Sequence, residues 1–307
     1  MSEKPYKTYS EQLQILKDRG LAFQDEAKAL HILAHHNYYR LSAYRFPFQD
    51  VADQFRAGTT FEQLWELYCF DRVLRQLVNE ACKSIEISIR ARWAHVLAER
   101  HGPQAYEQLS VFCDLTATEK KKQATSKYLL DNLASLDREL ARSKEVFVTH
   151  YRFEKQILRP PVWVVSEAMS FGLLSRFYDG IARDSDKKAI SRIYDLPVEG
   201  LRSVLQQSVY LRNLCAHHSR LWNRNLTVKV SLPTSQPAAI ISSLNPPEKK
   251  RIYNSLVLLG HMVSIIAEGS DWKRRLRAHL ETLNGPSHTE MGFPADWRER
   301  DFWKDSI

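Results

Sequence analysis

The chain predicts an all-α protein on three observations. Apolar residues recur at three-to-four-residue spacing through most of its 307 positions. Glycine and proline are sparse, at 10 and 12, too few for the turn-rich connections of a β architecture. Helix-start signals (Thr60, Thr116, Pro160-Pro161) stand ahead of the periodic runs.

Taken in order, residues 9–19 and 25–36 read as two short helices parted at Gly20, followed by a Tyr/Arg/Phe segment at 38–48. Gly58 and paired threonines mark 49–60 as loop, and Thr60 can cap the next helix. Residues 61–100 predict one long helix, with Leu64, Leu67, Leu74, Val78, Ala81, Ile85 and Ile89 on its apolar stripe. SIEISIR inside it alternates like a strand, but no breaker flanks it. His101-Gly102-Pro103 ends the run. Thr116-Ala-Thr-Glu119 has the spacing of a capping box and predicts a helix to Arg142. Helices follow over 144–157, from Pro160-Pro161 to Gly180, over 184–194 and over 198–219. LTVKVSLP (226–233) suits a brief extended piece, and 233–247 a Pro/Ser-rich loop. Helices over 248–268 and 271–283 precede an irregular tail. The expected organisation is an N-terminal helical extension (1–58), a helical bundle (59–285) and a C-terminal tail packing on the bundle (286–307).

Apolar residues at 44% and charged residues at 26% fit a globular chain. The net charge of +8 fits a polyanionic partner. Cysteines 69, 82, 113 and 215 form no Cys-x-x-Cys pair and follow no secretory signal, which reads as reduced thiols in a cytoplasmic protein. The longest apolar stretch, Ile252–Ala267, is too short to span a bilayer and is interrupted by Asn254, Ser255, His261 and Ser264, so it predicts a buried helix and no membrane association. Phosphate-cradling glycine loops, nucleophile elbows and zinc spacings are absent from the sequence, which argues against an NTPase, a serine hydrolase or a zinc enzyme.

Chemistry concentrates in residues 212–224, RNLCAHHSRLWNR. Arginine keeps its charge and suits a phosphate or a developing phosphorane, while histidine moves protons near neutrality. Arg212 continues the stripe of Leu201, Leu205, Ser208 and Cys215. It therefore needs either an acid partner or a cleft holding an anion. On a regular helix Arg212 and His217 would stand about 140° apart with a rise of about 7.5 Å. Both reach one phosphate only if the helix unwinds or if two copies share a cleft. His218, one residue on, is the other candidate imidazole, and Asn213 holds phosphate, the motif of a second copy or the helix end. Arg220 and Arg224 are candidates for flanking phosphates or a solvated face.

Glu167 is the only charge in PPVWVVSEAMSFGLLS and calls for a cation, either Arg212 or another arginine. HNYYRLSAYRFPF (36–48) interleaves aromatics, Tyr39 among them, with Arg40 and Arg45, a pattern that fits either base stacking with phosphate neutralisation or aromatic packing. His31 and His35 have i, i+4 spacing, but no acid or cysteine cluster supports a metal. DWKRRLRAHL reads as a basic helix face suited to RNA, an anionic surface or solvent.

Arg212-Asn213-x-x-x-His217 resembles the Arg-Asn-x-x-x-His signature of HEPN-superfamily ribonucleases, and the longer string resembles their Abi-type (abortive infection) branch. HNYYRLSAYRFPF, PPVWVVSEAMSFGLLSRFY (160–178) and MGFPADWRERDFW (291–303) fit that branch in order, so the resemblance spans most of the chain. It implies a HEPN-type helical bundle and a metal-independent endoribonuclease without cofactor. Arg212, Asn213 and His217 or His218 would be catalytic, with Glu167 supporting. It also implies a homodimer or internal pseudo-dimer, an RNA substrate, and an abortive-infection or toxin–antitoxin setting with an RNA or protein antitoxin. The rival reading is a module that binds RNA or regulates without cutting.

Overall fold

One helix of 41 residues, Phe61–His101, organises the chain and at 1.5 Å per residue runs about 60 Å. A computed structural model describes residues 5–51, 53–114, 116–234 and 237–304. The long helix starts on a capping box: the Thr60 hydroxyl accepts the Gln63 N–H and the Gln63 side-chain carbonyl accepts the Thr60 N–H. SIEISIR stays helical, burying Ile85 and Ile89 four residues apart while Ile87 faces solvent. Gly102, at φ +83°, ends the helix.

Against this spine pack Val162–Ala168, Val198–Ala216, Ile252–Ile266 and Trp272–Glu281. The architecture is all-α, as the periodicity requires. Ile252–Ile266 is buried for most of its length, and Asn254 and His261 find backbone partners there, whereas the Ser255 hydroxyl has none among the described residues. Asn254 accepts the Asn245 N–H at 2.7 Å and donates to the Asn245 carbonyl, while His261 Nε2 donates to the Tyr194 carbonyl. Among the described residues no helix is long and apolar enough to cross a membrane, and all four cysteines are unpaired.

The N-terminal helices Tyr9–Asp18 and Glu26–His35 share the core through Leu13, Leu16, Ala29, Ile32 and Leu33. Their connection is stitched to the start of the spine: Ala22 N–H donates to Thr59, and Phe61 N–H to Ala22. In the tail, Phe293, Trp297 and Trp303 pack with Tyr253. One core cluster therefore extends from Leu13 to Trp303.

Several elements differ from the sequence expectation. Thr116 forms no capping box: its N–H and hydroxyl go to the Asp114 carboxylate, and the helix opens at Glu119. A two-residue Asx turn competes for the same hydroxyl. The stretch expected as one helix from Pro160 to Gly180 is two, Val162–Ala168 and Phe171–Gly180. Ser170 breaks it by capping Leu173, with Glu139 taking both its N–H and its hydroxyl. Residues 144–157 hold only a short α-helix, Val146–Thr149, and a π-helical turn, His150–Glu154. LTVKVSLP forms no strand, and the two short strands, Gln49–Val51 and Gln54–Phe55, pair antiparallel in the expected loop.

Candidate functional site

The motif helix Val198–Ala216 ends three residues short of the expected 219, in a Schellman turn. His218 N–H donates to Cys215 and Ser219 N–H to Leu214, leaving His218 at φ +54°, a left-handed position normally given to glycine. Arg40 Nη1 donates to the His218 carbonyl at 2.7 Å. A non-glycine residue persists there because its surroundings hold it.

The segment beyond this turn is anchored by a carboxylate that the sequence reading passed over. Asp71, fully buried on the spine, accepts the backbone N–H groups of Leu221 (3.1 Å) and Trp222 (2.6 Å), the Tyr44 hydroxyl (2.6 Å) and Arg75 Nη1. Burial pushes the Asp71 carboxyl up, against the pull of Arg75, Tyr44 and the two N–H donors. Burial also raises the Tyr44 hydroxyl, which stays protonated and donates. This cluster joins three distant pieces, the 36–48 segment, the spine and the end of the motif. A signal existed: Leu67, Asp71, Leu74 and Val78 follow one helical stripe, so the acid falls on an apolar face.

Arg212 stands one turn before the helix end with its side chain 30% exposed. Its acid partner is Glu86 rather than Glu167, with Nε 3.8 Å from the Glu86 carboxylate. Arg90 shares that carboxylate at 2.5 Å and also donates to the Met169 carbonyl. Two guanidinium groups on one carboxylate leave net positive charge at Arg212. Arg212 Nη1 also donates to Asn213 Oδ1 at 3.2 Å, and Asn213 is exposed. The expected partner, Glu167, is exposed and makes no ion pair with Arg212 or any other arginine among the described residues. The break after Ala168 ends its helix after seven residues and leaves Glu167 facing solvent.

His217 and His218 are both exposed. Of the two, His218 lines a cleft of about 570 Å³, together with His35, His36, Arg40, Arg72 and Arg75. Among the described residues its lining includes no aspartate or glutamate. Arg75 is neutralised by Asp71, whereas Arg40 and Arg72 have no carboxylate partner among the described residues. Burial lowers the His36 pKa, and the positive charge of Arg40 and Arg72 lowers it further. Cys215 also reaches the cleft, but burial pushes its thiol up to about 12, so it stays protonated.

The remaining candidates divide. Tyr39 is 65% exposed at the N-terminal side. Arg45 pairs with Asp53 at 2.9 Å, a carboxylate it shares with Arg19. The Arg220 guanidinium lies 5.9 Å from the ring centres of both Phe46 and Trp222, and burial lowers its pKa. Arg224 donates to the Arg220 carbonyl and has no carboxylate partner among the described residues. The His31 and His35 rings sit 4.6 Å apart, and no group of three or more His, Cys, Asp or Glu among the described residues is placed to hold a metal ion.

Residues 31–223, more than half of the chain, match the family described as Abi-like protein. The chain belongs to that family. No curated protein and no solved structure matches it. In this Abi-like protein the matched region takes in the 36–48 segment, the spine and the motif, the three pieces that Asp71 joins.

Proposed function

We propose that this Abi-like protein is a metal-independent endoribonuclease of the HEPN kind, acting in the cytoplasm in an abortive-infection or toxin–antitoxin role. One observation carries the reading. The end of the motif helix and the turn after it bring partly exposed Arg212 and exposed Asn213, His217 and His218 together beside a cationic cleft lined by no carboxylate among the described residues.

The chemistry follows from those groups. A ribose 2′-hydroxyl attacks the adjacent phosphorus, forming the 2′-O–P bond and breaking the P–O5′ bond. One imidazole takes the 2′ proton and another group returns a proton to the departing 5′ oxygen. Arg212 stabilises the phosphorane charge, and Asn213 orients it. The products are a 2′,3′-cyclic phosphate and a 5′-hydroxyl, so DNA is spared. His217 keeps the motif spacing, while His218 faces the cleft of its own chain. In a two-fold dimer the two imidazoles would divide the acid and base roles across a shared substrate. Control by an RNA or protein antitoxin would act on this site.

The test is cleavage of labelled RNA in EDTA with end mapping. Arg212→Ala and His217→Ala should each lower the rate about 10²–10⁴-fold with unchanged folding; His218→Ala reports which ring works in the cleft. No cleavage by wild type with or without metal sinks the enzyme reading. A second reading, an RNA-binding or regulatory module that does not cut, is favoured by the Glu86 carboxylate already beside Arg212. It predicts binding without cleavage.

A further inference from the structure

The cleft at His218 adjoins a second recess. A groove of about 780 Å³ shares His35 and Asn37 with it and is lined by Tyr9, Tyr38 and Tyr39. The two differ in chemistry. The first holds Arg40 and Arg72, guanidinium groups with no acid partner among the described residues. The second offers aromatic faces, and the one carboxylate in its lining among the described residues, Asp53, is held by Arg19 and Arg45. Tyr39 is exposed yet braced: Tyr38 meets it edge-on at 5.7 Å, and the Tyr38 hydroxyl is fixed by Arg19 at 2.9 Å. Tyr9 is about half exposed. Exposed, braced rings next to unpaired cations match the two needs of a single strand, neutralised phosphates and a stacking partner for open bases. A duplex has no free base face for such rings.

We infer that the two adjoining recesses form a track for unpaired RNA, with Arg40 and Arg72 holding backbone phosphates and Tyr9 and Tyr39 stacking on bases. The N-terminal helices are then the strand-reading part of the protein. The inference rests on RNA being the ligand, as proposed above, and is independent of cleavage.

The test is fluorescence anisotropy of the full chain with a labelled 2′-O-methyl oligonucleotide of about twelve nucleotides, a length such grooves cover. That probe lacks the attacking hydroxyl, so binding is read whether or not the protein is a nuclease. Wild type should bind the single strand more tightly than the matching duplex. Arg72→Ala and Arg40→Ala should each weaken binding and reduce the salt slope by about 0.7, one phosphate's share on a single strand. Tyr39→Ala should weaken it roughly 5- to 150-fold with the slope unchanged, and Tyr9→Ala likewise. Lys121→Ala, on a separate exposed face, should alter neither. Thermal melts confirm folding; Arg72 makes no hydrogen bond or ion pair among the described residues, so its replacement isolates the charge. No binding, equal affinity for duplex, or a salt slope indifferent to both arginines would overturn the track. Absence of cleavage on unmodified RNA, with this binding pattern intact, would instead sink only the nuclease reading.

Discussion

Asp71 accepts the backbone N–H of Trp222 at 2.6 Å, across 151 positions of sequence. With Leu221, Tyr44 and Arg75 as further donors, this carboxylate sets where the motif leaves its helix and where the 36–48 segment lies against it.

Asp71→Asn should therefore be severe. The amide cannot neutralise Arg75, and its nitrogen faces donors where an acceptor is required. Breaking a buried pair costs about 3–5 kcal/mol, so urea unfolding should show a large fall in midpoint, with the RNA-directed activity lost as well. A midpoint within error of wild type would refute the anchoring role.

His218→Gly separates stability from function. Glycine takes the left-handed position without the strain, and the substitution should raise stability by about 1 kcal/mol. If the imidazole serves the cleft, cleavage or binding falls in the same variant. A lower melting temperature would contradict the strain argument.

Acid should destabilise the fold through its buried histidines. Burial lowers the pKa of His261, His279 and His288, each of which donates Nε2–H to a backbone carbonyl, and of His36. Folding favours their neutral form. The contribution is complete above the unfolded value of about 6.5 and is lost as pH falls from there through the folded-state pKa values. Each group adds at most about 1.4 kcal/mol per pH unit. Urea midpoints at about pH 7.5 and about pH 5.5, on either side of the unfolded value, should differ, and His261→Gln should flatten the slope.

Gly260→Ala should destabilise the helix that packs on the spine. An added Cβ would collide with the Phe302 ring and come within 3.1 Å of Trp272. Both rings are buried, and overpacking of this kind costs about 1–3 kcal/mol. A calorimetric melt that matches wild type would show that the tail moves aside.

Most helices were legible because their evidence is local. Thr60 and Gln63 cap the spine within one turn, and Ile85 and Ile89 keep its stripe through a segment that alternates like a strand. The failures were also local competitions, as when Asp114 took the Thr116 hydroxyl from the helix end and Ser170 divided an apolar run. For Arg212 the sequence leaves open an acid partner or a cleft holding an anion, and the structure sets an acid 3.8 Å from it. The acid is Glu86, whose place beside Cys82 and Ile89 on the spine went unread, while Glu167 ended at the surface.

By itself the sequence determined the all-α class, the extent of the long helix and the grouping of Arg212, Asn213 and two histidines at a helix end. Those follow from periodicity and caps, which act over three or four residues. Only the tertiary structure decided that Arg40 would hold the His218 carbonyl from 178 positions away, that Arg72 would face the same cleft, and that Asp71 would anchor the motif. A helix's own residues state which face is apolar. Which distant face it meets depends on how the helices cross and pack, and that is where the cleft is made.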